Sequence, residues 1–203
     1  QESGRRVTLY KGVREWFARI NAYGAARGIR ILHYINSSGL KEIIEGTEIA
    51  HEFRRIYACS FLYDIDGVAY WPAVAVNYTN KTQFIFKINK GVESVFDSKL
   101  VNQYIEEDKR PVPFRRMIYV GDGTTDIPCM RLVKNSGGHS IAVYNPEIRN
   151  ARRELNGLIR DNRVSHVCPA DYSEGSEMDT LVKTIIDKIE ADHRLELLET
   201  PRT

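Results

Sequence analysis

Cysteine is scarce in this chain of 203 residues, and its three cysteines lie far apart in the sequence. They are Cys59, Cys129 and Cys168, an odd number with no CxxC motif and no Cys/His spacing typical of a metal site. A disulfide framework is therefore not indicated. The cysteine usage predicts a reduced, cytoplasmic compartment.

Long apolar runs are also missing, since none reaches the roughly 18 residues of a membrane-spanning helix. No signal peptide opens the chain. The first residue is Gln1 rather than Met, and we therefore expect the numbering to begin inside a longer polypeptide. The formal net charge of +2 gives no electrostatic reason to expect nucleic acid or a membrane surface as a partner.

The composition is that of a globular protein, with 42% hydrophobic and 28% charged residues. Helix-like and strand-like apolar patterns alternate, which predicts an α/β fold with a doubly wound, mostly parallel sheet. Strands are predicted over residues 29–35 and 116–120, and helices over residues 79–89 and 95–107. A small β-hairpin is predicted over residues 55–76. We expect a single domain whose ligand lies at the carboxyl ends of the strands.

The loop Gly121-Asp122-Gly123-Thr124-Thr125-Asp126 follows a predicted strand and carries two carboxylates four residues apart. Its glycines allow a sharp turn and a close approach to a ligand. Two carboxylates near the start of the next helix suit a hard cation such as Mg²⁺. A glycine turn followed by an Asp helix cap would explain the same residues without a ligand. The loop has no GxGxxG pattern, so a nicotinamide-binding role is poorly supported.

Two further features suit phosphate. Ser37-Ser38-Gly39 follows a predicted strand, and a hydroxyl beside free backbone N–H groups can bind a phosphoryl group, although simple helix capping explains it equally well. Lys81 lies on the first turn of a predicted helix, where the helix dipole disfavours a cation. This placement hints at phosphate neutralisation, with a solvated surface lysine as the alternative. Lys87 and Lys90 are expected to be surface residues of the same helix.

Three features follow one another along the chain: a strand that ends in Ser-Gly, a lysine that opens a helix, and a strand that ends in GDGxxD. In this order, they resemble the motifs of the haloacid dehalogenase superfamily. The resemblance is to its phosphoserine-phosphatase-like members and extends over residues 10–145. By this resemblance, the phosphoryl group would be bound by Ser38 (or Ser37), Gly39 and Lys81, and Mg²⁺ by Asp122 and Asp126. The lysine would stabilise a phosphorylated intermediate.

The first motif of that family is an Asp-x-Asp at the end of an apolar strand, which supplies the nucleophile and the general acid/base. No such strand precedes Ser38, and residues 1–10 contain no Asp. Asp64-Ile65-Asp66 matches the motif by letter. It follows the serine motif, however, and Asp-Gly between extended runs is a hairpin signal. A permuted domain that uses Asp64 as the nucleophile is the remaining alternative.

In this family the nucleophile strand lies between the strands that end at Ser38 and at Asp122. We therefore expect this chain to be the C-terminal part of a longer protein whose missing segment carries that strand and a cap domain. The function predicted by resemblance is a Mg²⁺-dependent phosphatase acting on a small phosphorylated metabolite, inactive without the nucleophile segment. The alternative is a catalytically inactive member that serves as a binding or regulatory module.

Overall fold

The computed structural model of the chain describes residues 2–199 and shows an α/β protein. The helices are α1 Val13–Ala25, α2 Lys41–Ile44, α3 Lys81–Lys90, α4 Ser98–Asn102, α5 Ile127–Asn135, α6 Ala151–Arg160 and α7 Glu177–Glu199. The strands are β1 His33–Leu40, β2 Phe53–Tyr63, β3 Ala69–Val74, β4 Ile118–Gly121, β5 His139–Tyr144 and β6 His166–Pro169. Within residues 2–199, no helix combines the length and apolarity that crossing a bilayer requires.

The described strands form two sheets of three strands, with no ladder between β1 and β4 among the described residues. In the first sheet, β1 pairs with β2 in parallel and β2 pairs with β3 in antiparallel orientation. In the second sheet, β4, β5 and β6 are all parallel. Strands β1 and β4 are each an edge of their own sheet, so each has one side without a strand partner among the described residues.

Two apolar clusters hold the sheets together. One packs α1 and α7 against the second sheet, and it includes Phe53 from β2 and Ile118 from β4 at its border. The other packs α3 and α5, and it includes Tyr57 from β2 and Tyr119 from β4. Because side chains of both sheets meet in each cluster, the two sheets are fixed relative to each other without a ladder between β1 and β4.

The β-hairpin is confirmed: β2 and β3 pair through Leu62↔Trp71 and Tyr63↔Ala69. The turn residue Gly67 has a φ of 78°, a left-handed conformation that glycine adopts without strain. Several large apolar side chains of the hairpin are exposed, among them Ile65 at its tip.

Two predicted boundaries are wrong. The helix predicted over residues 95–107 is only the short α4, because the chain after α3 wraps around the end of that helix. There Lys90 Nζ donates to the carbonyls of Val101 and Gln103, at 2.7 and 2.6 Å. The first strand extends to Leu40 rather than ending at residue 35, and its residues are half-buried or exposed because β1 is an edge.

Candidate functional site

A buried ion pair joins Lys81 and Asp126, two of the residues that the sequence singles out. Lys81 is the first residue of α3, and Asp126 ends the 3-10 turn that leads into α5. The Lys81 Nζ lies 2.6 Å from the Asp126 Oδ1, and the two residues are only 4% and 7% exposed. Removing two charges from water is costly, so such a pair needs further polar partners.

Tyr119 supplies one of those partners. Its hydroxyl donates to the same oxygen, Asp126 Oδ1, at 2.6 Å. Burial and then the nearby Asp126 carboxylate raise the pKa of Tyr119, so the phenol keeps its proton and remains a donor. The other carboxylate oxygen, Asp126 Oδ2, accepts a longer hydrogen bond of 3.3 Å from the backbone N–H of Gly123.

The Lys81 ammonium has unused donor capacity. It carries three protons, and among residues 2–199 its one hydrogen-bond acceptor is Asp126. A buried ammonium at a helix N-terminus is disfavoured by both burial and the helix dipole. The position therefore suits a cation that also binds acceptors from a ligand.

Asn36 of β1 adjoins this pair. Its side-chain amide Nδ2 donates to the Lys81 carbonyl at 3.1 Å and contacts the Cys129 sulfur of α5 at 3.9 Å. Its Oδ1 is buried and has no hydrogen-bond partner among the described residues. Burial raises the pKa of the Cys129 thiol to about 11, so this thiol is protonated at neutral pH. The middle of β1 therefore contacts α3, which begins at Lys81, and α5, which follows Asp126.

Asp122 directly follows β4 and is exposed. Its charge is one of the causes, after burial and Cys168, that raise the pKa of Tyr172, a residue of the loop after β6. Asp122 thus lies near that loop. No hydrogen bond links Asp122 to the Lys81–Asp126 pair within residues 2–199.

The structure places Ser37, Ser38 and Gly39 inside β1, not in a strand-to-helix turn as predicted. The ladder is irregular there, because Asn36 pairs with Tyr57 while Leu40 pairs with Cys59. Helix α2 begins after Leu40, which caps it without a side-chain hydrogen bond.

These three residues form a local bulge with its own hydrogen bond. The Ser37 Oγ accepts from the Gly39 N–H at 3.0 Å, and Ser38 is exposed. Helix capping by these serines is thereby contradicted. Within the described residues, no side-chain hydrogen bond connects Ser38 to Lys81 or Asp126.

Gly121 is required for the compactness of the loop. A Cβ at this position would lie 2.5 Å from the Asp126 Cβ and 2.7 Å from its Cγ, closer than side-chain atoms can approach. At Gly123, a Cβ would meet no atom nearer than 3.7 Å. The backbone of β4 and the Asp126 side chain are therefore packed directly on each other.

The residues present are compatible with Mg²⁺. Among residues 2–199, no group of three or more His, Cys, Asp or Glu side chains could hold a metal ion by itself. Asp122 and Asp126 provide two carboxylates on one loop. The absence of a Cβ at Gly121 leaves room for the Asp126 side chain. Mg²⁺ is commonly held by one or two carboxylates together with water and phosphate oxygens, whereas structural Zn²⁺ and Ca²⁺ need fuller protein shells.

Asp64 has a structural role in the hairpin turn. Its Oδ1 accepts hydrogen bonds from the backbone N–H groups of Asp66 at 3.0 Å and Val68 at 2.8 Å. Its carbonyl accepts from the Gly67 N–H. These contacts explain why the sequence has Asp at this position without invoking a nucleophile.

We predict that Asp64→Ala lowers the free energy of unfolding by about 1 kcal/mol, because two turn hydrogen bonds are lost. Any phosphatase activity of the full-length protein should be retained. Urea denaturation and turnover of a generic phosphate ester check both parts. Abolished turnover in a folded Asp64→Ala variant would instead favour the permuted arrangement with Asp64 as nucleophile.

Lys87 is not the surface lysine that the sequence suggests. It is 3% exposed, and its Nζ donates to the carbonyls of Ser94 at 3.0 Å and Asp97 at 2.7 Å. Burial lowers the pKa of Lys87. The helical period places Lys87 on a different part of α3 from Lys81, where it fastens the chain that follows the helix.

Sequence reasoning missed three members of the polar cluster around the ion pair: Asn36, Tyr119 and Cys129. Tyr119 carried a usable signal, since a tyrosine in a short buried strand needs a partner for its hydroxyl. Asn36 stood next to the serines but was interpreted only as part of a turn. Cys129 follows Asp126 by three residues, one helical turn later, and gave no signal of its own.

Comparison with known proteins gives one distant relative of note. The sequence matches no family model. A protein of Borreliella burgdorferi, described as an uncharacterized protein, is 28% identical over 210 residues, an alignment that covers 92% of this chain and 68% of that relative.

Proposed function

We propose that this chain is the core portion of a Mg²⁺-dependent phosphatase of the haloacid dehalogenase type, acting on a small phosphorylated metabolite. The observation that carries the proposal is the buried Lys81–Asp126 pair at 2.6 Å. Lys81 and Asp126 are 45 residues apart in sequence, and the sequence motifs assign both to one phosphoryl-transfer site. A purely structural pair would not need an ammonium with donors left over in a buried position.

The open edges of β1 and β4 support the second element of the proposal, a nucleophile strand from a segment outside these residues. Tyr34 of β1 and Tyr119 of β4 both pack against the cluster that contains Tyr57, to which α3 and α5 also contribute. Unpaired backbone groups at a strand edge favour pairing with another strand. A structure of the full-length protein in which one strand is hydrogen-bonded to both β1 and β4 would support this element; a direct ladder between β1 and β4 would contradict it.

In the proposed reaction, a carboxylate from that strand attacks phosphorus. A bond from its oxygen to phosphorus forms, and the ester bond breaks. The departing alkoxide takes a proton from the second Asp of the Asp-x-Asp motif, which is the general acid. Water then hydrolyses the aspartyl-phosphate and releases inorganic phosphate. Because phosphoryl transfer makes little covalent demand on the protein, the chain contributes mainly position and charge.

Each residue of this chain has a defined part in that scheme. The free donors of Lys81 bind the transferring phosphoryl group and the attacking carboxylate. The hydroxyl of Ser38, or alternatively of Ser37, and the backbone near Gly39 bind the remaining phosphoryl oxygens. Asp122 and Asp126 would hold Mg²⁺, which when bound neutralises negative charge on the phosphoryl oxygens.

We predict that Asp122→Ala abolishes Mg²⁺-dependent hydrolysis of a generic phosphate ester by the full-length protein, with turnover reduced at least about 10³-fold. Stability should change little, because Asp122 is exposed. Turnover at saturating Mg²⁺ and thermal unfolding measure the two effects.

The matched control is Asp161→Ala, which removes another exposed aspartate, at the end of α6 and outside the predicted site. This variant should keep full turnover. Unchanged turnover in Asp122→Ala would refute the metal assignment. No Mg²⁺-dependent hydrolysis by the unaltered full-length protein across a panel of phosphate esters would favour the inactive binding or regulatory module.

A further inference from the structure

We propose that Tyr119 makes the cation site selective for Mg²⁺ over Ca²⁺ by restricting Asp126 to a single coordinating oxygen. This inference rests on the proposed function, because it concerns the same cation. Tyr119 is therefore a positioning residue, acting on the metal through the carboxylate that it contacts.

The two oxygens of Asp126 differ sharply in their hydrogen bonding. Oδ1 accepts from Lys81 Nζ and from the Tyr119 hydroxyl, both at 2.6 Å. A carboxylate oxygen has two lone-pair directions, so these two short bonds fill the acceptor capacity of Oδ1. Oδ2 accepts only a 3.3 Å bond from Gly123 and keeps a lone pair available.

Close packing and two short hydrogen bonds hold the Asp126 carboxylate in place. Its Cβ and Cγ are packed against the backbone at Gly121, where not even a methyl group would fit. The residue is 7% exposed. The carboxylate is therefore held in one orientation, and a cation binds it through Oδ2 alone.

Monodentate coordination distinguishes the two common divalent cations. Mg²⁺ is small, octahedral and retains water, and it accepts single carboxylate oxygens at about 2.0–2.1 Å. Ca²⁺ takes six to eight oxygens and often binds a carboxylate through both of its oxygens. For Ca²⁺ to use both oxygens of Asp126, one of the two short hydrogen bonds to Oδ1 would have to break, and the bond from the neutral Tyr119 hydroxyl is weaker than the ion pair with Lys81.

The test is Tyr119→Phe in the full-length protein, with Mg²⁺ and Ca²⁺ dissociation constants measured separately by calorimetry. Loss of the hydroxyl frees one lone pair of Oδ1, so we expect the affinity for Ca²⁺ to rise about tenfold relative to that for Mg²⁺. The matched control is Tyr57→Phe, which removes a buried tyrosine hydroxyl that donates to the Val92 carbonyl instead. In the control, the ratio of the two affinities should stay the same.

Equal changes in both affinities in Tyr119→Phe would overturn this inference and leave the proposed function standing. Absence of any divalent-cation binding by the unaltered protein would overturn both.

A second measurement does not depend on whether the Tyr119→Phe variant folds, because it uses the unaltered protein. In infrared difference spectra of the Mg²⁺-loaded protein, the separation of the two carboxylate stretching bands distinguishes one coordinating oxygen from two. Asp126→Asn identifies the bands. A bidentate signature for Asp126 in the unaltered protein would refute the proposed restriction.

Discussion

Lys81→Met should lower the free energy of unfolding by about 3–5 kcal/mol and reduce Mg²⁺-dependent turnover at least about 10²-fold. The thioether fills nearly the same volume but leaves the Asp126 carboxylate buried with Tyr119 as its remaining strong donor. Turnover falls as well, because the ammonium would bind the phosphoryl group in the proposed reaction. Urea denaturation and steady-state kinetics measure the two effects independently.

Lys87→Met is the matched control, since Lys87 is equally buried on the same helix. Its ammonium binds neutral carbonyls, so the variant loses stability through two missing hydrogen bonds but keeps its turnover when folded. Equal losses of turnover in the two variants would mean that the ion pair is a structural feature of α3 rather than part of a reaction site.

Gly121→Ala should damage the candidate site strongly, because the added methyl group would meet the Asp126 side chain. The new Cβ would lie 2.5 Å from the Asp126 Cβ, so either the strand or the aspartate must move. Overpacking of this kind costs about 1–3 kcal/mol, and displacement of the proposed metal ligand Asp126 by about 1 Å would reduce turnover about 10²-fold. Gly121 has no positive φ, so the effect is steric and not conformational.

Gly123→Ala provides the comparison, because a Cβ there would make only ordinary contacts. We expect this variant to retain both stability and Mg²⁺ affinity, measured by thermal unfolding and calorimetry. Tolerance of both alanines would show that the Asp126 side chain can be repositioned freely, contrary to the packing seen here.

Much of the fold was predictable from the sequence because local patterns decide it. The alternation of helices and strands, the hairpin around Asp64 and the lysine at the start of α3 all follow from periodicity and turn chemistry. The prediction of a helix over residues 95–107 failed because tertiary contacts from Lys87 and Lys90 bind that segment in an irregular path. Single-sequence patterns carry no information about such distant acceptors.

The candidate site was predictable only in part. Lys81 and Asp126 were assigned to one site, and the structure brings them into contact. The serines at residues 37 and 38 were expected in a turn after the strand, but the irregular ladder between β1 and β2 keeps them in the strand. Register shifts of this kind depend on the partner strand, so the sequence around the serines could not reveal them.

The separation into two sheets also has a consequence for the order of folding. The first sheet is formed by residues 33–74 and the second by residues 118–169, so each forms from contacts between near neighbours along the chain. Helices α1 and α7 join them through contacts such as Arg19–Asp179, 160 residues apart.

Contacts that close long loops form late, because their loop-closure entropy must be overcome first. We therefore expect the sheets to form first and to dock afterwards, an order that pulsed hydrogen exchange can follow. Lys81 follows the first sheet along the chain and Asp126 lies within the second. On this pathway the ion pair comes into existence only at the docking step, so no partly folded chain would carry it.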